Sequence, residues 1–198
     1  MRRVVVLALL ALALPIAAMA DGIDLTNQFG TISISTSGIV SKGSQLTSFN
    51  GVHAAKGHAL GSVSFTTGAL LSGTIAGGGV FDSTGSTFVV TGKGHGVPKG
   101  VIFSGSFVGP INWVLTSSKG TFRSYTLSGD LQGMLYTGRM VTGSTSQTIN
   151  SHAGQISQGV GHIIVGNTHL NTPEPGTLGL LGTGLVGIAG MFRRKMNA

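Results

Sequence analysis

An all-β fold, an antiparallel sandwich or barrel of short glycine-rich strands, is what this sequence predicts, and three observations carry that expectation. Residues 31–165 are short apolar and β-branched runs divided by Gly, Ser, Thr and Asn, with almost no helical periodicity. Turn-forming groups recur at a spacing of roughly 10 residues, which suits hairpins better than alternating βαβ units. The chain has no cysteine, so backbone pairing and packing must hold the domain without disulfides.

Taken in order, the strands announce themselves by alternation. Ile32 and Ile34 alternate, as do Val63, Phe65 and Thr67, and again Val101, Phe103, Gly105 and Phe107, as expected where one face is buried. Further strands are expected over 70–76, 86–91, 111–116, 123–128, 134–141 and 161–165. Asn50-Gly51 suits the two positive φ angles of a type I′ hairpin, while 82–85 and 117–120 suit longer loops. With 34 glycines, about 17% against a usual value near 7%, many fall inside expected strands and point to bulges or strong curvature. Echoes such as 103–107 and 127–131 suggest a β-solenoid as the alternative, although they hold no fixed period. Residues 166–172 are expected to be a polar linker.

The two ends read as addresses. Met1-Arg2-Arg3, the apolar run 4–14 and the small residues Ala18 and Ala20 form the three parts of a secretory signal peptide over 1–20, to be removed by signal peptidase after entry into the general secretion machinery. Near the other end, Pro173-Glu174-Pro175 precedes 17 uncharged residues, 176–192, and then Arg193-Arg194-Lys195. As a helix that run reaches about 25 Å, just enough to span a bilayer. The basic triplet should remain cytoplasmic and stop transfer, leaving residue 173 and everything before it outside. Gly179, Thr183 and Gly187 would form one small-residue stripe along such a helix, unless the span is simply glycine-rich.

Pro-Glu-Pro, one apolar span and an arginine-rich end, in that order and within 173–198, resemble the PEP-CTERM sorting signal of Gram-negative bacteria. The resemblance implies processing near the motif by an exosortase, a membrane-embedded cysteine-protease-like enzyme, in exported proteins of exopolysaccharide producers. It implies a protein anchored in the inner membrane before processing and found at the cell surface or outside afterwards. It covers 173–195 and says nothing of the domain at 21–165.

The middle of the chain excludes more than it assigns. The net charge of +7 belongs mostly to the targeting ends. Over 21–172, seven basic residues meet four aspartates, a scattered net +3 with no continuous basic footprint, so nucleic acid is not an expected partner. Paired-carboxylate catalysis is poorly supported: there is no glutamate before Glu174, and Asp82 and Asp130 sit in Gly/Ser contexts where Asp bonds local backbone. No serine lies in G-x-S-x-G, and a thiol nucleophile is absent. His53 and His58 lie five apart, and neither they nor His95, His152, His162 and His169 follow metal-ligand spacing, so neither a metal nor another cofactor is expected. Trp113, Tyr125 and Tyr136 are the rings that would stack on a glycan, although Trp113, flanked by Ile111 and Leu115, fits a core position better. The first expectation is therefore a non-catalytic surface or matrix protein. The second is a module binding exopolysaccharide or another glycan, and a secreted hydrolase comes third.

Overall fold

The computed structural model describes residues 22–94 and 96–172. The expected signal segment with Ala18 and Ala20, the sorting residues Pro173, Glu174 and Pro175, the run 176–192, the charges Arg193, Arg194 and Lys195, and His95 lie outside the described residues.

Among the described residues, twelve strands form one antiparallel sheet: β1 (Gly22–Gln28), β2 (Thr31–Ser35), β3 (Gly38–Phe49), β4 (Val52–His53), β5 (Gly61–Thr66), β6 (Leu70–Thr74), β7 (Gly78–Phe81), β8 (Thr87–Lys93), β9 (Lys99–Lys119), β10 (Phe122–Leu135), β11 (Met140–His152) and β12 (Val160–Asn171). They make eight staves. β1 and β2 are one stave, broken at Phe29 and Gly30 where φ turns positive (58° and 115°), and both halves pair with β12 on one side and β3 on the other. β5–β6 and β7–β8 are the two arms of one interrupted hairpin. Each stave pairs with the next in sequence, and β12 returns to β1 with Asn171 opposite Gly22. The result is a closed up-and-down barrel. A short helix, α1 (Ala153–Ser157), links β11 to β12 and buries Ile156.

Closure settles the architecture as a barrel and corrects the solenoid alternative, because pairing of the first and last strands is a long-range ring contact and not a stack of coils. It also corrects the linker. Residues 166–171 are the second half of β12, paired with 142–147 of β11 and 22–27 of β1. Polar composition was misleading there because the outward positions of this stave face solvent.

Other strand boundaries moved for local reasons. Expected strands at 101–107 and 111–116 are one 21-residue strand, β9, interrupted by a bulge in which Gly109 (φ 72°) and Pro110 stand out of register between Val108 and Asn112. A proline inside a strand is tolerated at such a bulge. The expected strand 134–141 instead contains the β10–β11 turn, closed at Gly138 (φ 77°), with Met134 and Met140 as the last cross-strand pair. Val101 points outward because a register shift beside Thr91 puts Ile102 and Phe103 both inside. The Asn50-Gly51 hairpin forms as expected, with φ of 47° and 83° joining β3 to β4.

An eight-stranded barrel is only just wide enough for its own side chains, which explains the glycines. Gly105 and Gly133 face each other across β9 and β10, and a Cβ on either would come within 2.7 or 2.8 Å of the Phe103 ring. Phe65, Phe88, Phe103 and Phe107 fill that space, with Phe65 and Phe88 stacked at 6.0 Å and Phe107 edge-on to Phe88 at 5.9 Å. Beside them lies a buried amide and hydroxyl network. Asn27 Nδ2 donates to Ser44 Oγ (2.7 Å) and Gln147 Oε1 (2.9 Å), Gln147 Nε2 donates to Thr145 Oγ1 (2.8 Å), and Thr145 meets Thr168 at 2.8 Å. Apolar inside and largely polar outside is the reverse of a membrane barrel.

Candidate functional site

The polarity of the outer wall has a pattern that follows from register. Apart from Val108 on β9, neighbouring outward positions on β1, β12, β11, β10 and β9 are polar, and the ladder aligns them into two rows. Asp24, His169, Ser144, Asp130 and Val108 form one row, and Thr26, Asn167, Ser146, Ser128 and Asn112 form the next. At the strand spacing of a β-sheet each row runs about 19 Å. The bulge at Gly109 and Pro110 borders one end of the array. Together they line a groove of about 750 Å³.

His169 fixes the electrostatics of this groove. Its Nδ1 lies 2.6 Å from Asp24 Oδ1 and its Nε2 lies 2.8 Å from Asn171 Oδ1. Asp24 and Asn171 thus engage the two ring nitrogens from opposite sides. The Asp24 hydrogen bond raises the His169 pKa above its ordinary value; desolvation opposes it, and the Asn171 hydrogen bond and the Asp24 charge add smaller upward contributions. Thr26 Oγ1 donates to Asn167 Oδ1 at 3.2 Å in the second row. Asp24, His169 and Ser144 stand in the order of a hydrolytic triad. Chemically they differ from one, because the nitrogen that would take a serine proton is already bonded to Asn171.

The sequence-expected residues fall in several places. Trp113 and Tyr125 are buried and stacked at 4.4 Å, with Trp113 Nε1 donating to the Ile75 carbonyl and Tyr125 OH to that of Ala76, each at 2.8 Å. Their polar handles are used to pin the β6–β7 hairpin tip, so neither ring offers a face to a glycan. Tyr136 is exposed in the β10–β11 turn, away from the groove rows. Asp82 does bond locally, to the side chain and backbone of Thr84, which lowers its pKa. Asp130 is not in a turn but mid-strand on β10, pointing into the groove. His53 and His58 meet in a second groove of about 850 Å³ with Gln45, Ser62 and Lys93. Among the described residues no three His, Cys, Asp or Glu side chains gather as metal ligands.

Sequence reasoning missed the groove because it depends on five strands in register. Its signal was the i, i+2 polar pairs, Asp24/Thr26, Ser128/Asp130, Ser144/Ser146 and Asn167/His169, one of which lay in the supposed linker.

Comparison with curated proteins and with solved structures finds no match for the chain. Residues 171–195 match the PEP-CTERM protein-sorting motif, starting at the last residue of β12, and the chain thus carries a signal that implies export and exosortase processing.

Proposed function

We propose that this is an exported, exosortase-sorted protein of the cell surface or extracellular matrix, whose barrel has a non-catalytic structural or interaction role. The sorting motif carries the address. The observation that carries the role is the barrel's division of labour: its interior is committed to its own aromatic and amide packing, and its polar chemistry is set out along the outer wall. A rigid closed wall of this kind can coat, space or bind without turnover. Engagement of both His169 nitrogens favours this reading over a hydrolase. Replacing Pro173, Glu174 and Pro175 together by alanine is expected to change both the size and the location of the exported product. An unchanged product would remove the sorting half of the proposal.

The groove favours a second reading, a module for exopolysaccharide or another polyhydroxylated chain. Nine polar side chains in two rows, with Val108 at one end, present donors and acceptors over a length that matches several sugar units, and hydroxyl, amide and carboxylate groups are those that bond sugar hydroxyls. Retention of the purified protein on immobilised acidic and neutral polysaccharides tests it, with the Asp130→Ala, Asn167→Ala double variant expected to lose retention. Trp113 fluorescence would be a poor reporter, since that ring lies behind the hairpin tip.

A further inference from the structure

One end of the barrel gathers the connections 50–60, 94–98 and 136–139 together with both ends of the ring, Gly22 and Asn171. Four apolar side chains stand exposed there: Val101, Met134, Tyr136 and Met140. Met134 and Met140 are direct cross-strand partners, and the Tyr136 N–H donates to the carbonyl of Ile102, next to Val101. The same end carries exposed Lys56, Lys93, Lys99 and Arg139, with Lys93 opposite Lys99 on β8 and β9. Asp24, on β1 two residues from Gly22, is already bonded to His169.

Chain length adds the decisive constraint. Asn171 closes β12 at this rim, and the uncharged run starts at Gly176. Five Cα steps reach about 18 Å even when fully extended. A barrel anchored through that run is therefore held near the lipid by this end. Apolar tips with a tyrosine at headgroup depth, ringed by lysine and arginine, are what an anionic bilayer surface binds.

We infer that the rim formed by Val101, Met134, Tyr136 and Met140, with Lys56, Lys93, Lys99 and Arg139, docks on the anionic lipid surface while the chain is tethered. The inference rests on the sorting-signal reading above, in which 176–192 anchors the protein before processing. Docking would hold the barrel upright and keep the Pro-Glu-Pro segment at the membrane surface until it is cut.

The native absence of cysteine makes the test clean. Full-length chain carrying a fluorophore at Thr137→Cys in the rim turn, or at Ser118→Cys on β9 near the opposite end, is reconstituted into vesicles containing about one-third anionic lipid and a headgroup-depth spin-labelled quencher. The rim label is expected to be quenched at least threefold more than the Ser118→Cys label. Adding Lys99→Glu, Arg139→Glu, Met134→Ser and Tyr136→Ser should abolish that difference while flotation with vesicles persists. Flotation with equal quenching at the two positions, or with the difference undiminished in the rim variant, overturns docking and leaves the anchor intact. Failure to float overturns the anchor and docking with it.

Discussion

At the scale of single residues, His169 and Gly166 show how local chemistry sets the wall. Because Asp24 raises the His169 pKa above 6.5, the folded state holds that proton more tightly than the unfolded chain does. The resulting stabilisation is fully present below the unfolded value and is lost as pH rises through the raised folded value. Nuclear magnetic resonance titration should place His169 above 6.5, and Asp24→Asn should bring it down toward that ordinary value. Gly166 lies inside the barrel against Gln147 Oε1 and Asn27 Oδ1, where a Cβ has no room. Gly166→Ala should therefore break the buried amide pair and cost about 2–4 kcal/mol, read as a lower denaturation midpoint. Neither effect was legible from the sequence, since both depend on partners more than a hundred positions away, or on the facing strand. What was legible was local: Asp82 bonding within its own turn, Asn50-Gly51 closing a hairpin, and Trp113 sharing a buried face with Ile111.

Among the elements, β12 and the β6–β7 hairpin carry the sharpest tests. Residues 166–171 are paired on both sides, so deleting them should open the ring and abolish the cooperative thermal transition followed by circular dichroism. A linker would tolerate the same deletion. At the hairpin tip, Tyr125→Phe removes the bond to the Ala76 carbonyl while keeping the Trp113 stack. A loss of about 1 kcal/mol is expected, with faster proteolysis near 75–77 than in the parent protein. The sequence supplied strand character through alternation in β2 and β5, and it failed where alternation was broken. The β9 bulge split one strand into two expectations, the Met134–Met140 pair hid a turn, and serine and threonine on the outward side of β11 and β12 resembled loop. Outward polar residues and linkers have the same composition; only the inward Ile149, Ile163 and Leu170 distinguish them.

For the whole molecule, closure explains why a chain so rich in glycine and free of cysteine folds at all. Pairing β12 with β1 removes the two edges that an open sheet would leave, and edges invite association. Among the described strands, β6 and the two-residue β4 keep an unpaired side. The same closure places the start of the barrel and the start of the sorting motif on adjacent positions, Gly22 and Asn171, so trimming at both ends would leave a complete ring. Intact mass of the exported protein, from cells with and without the exosortase, tests this most directly. The expected product begins next to Asp21 and ends within or beside Pro173 to Pro175 only when the enzyme is present. An exported product that keeps residues 176–198 in both strains would contradict the assignment of the tail as a processed sorting signal.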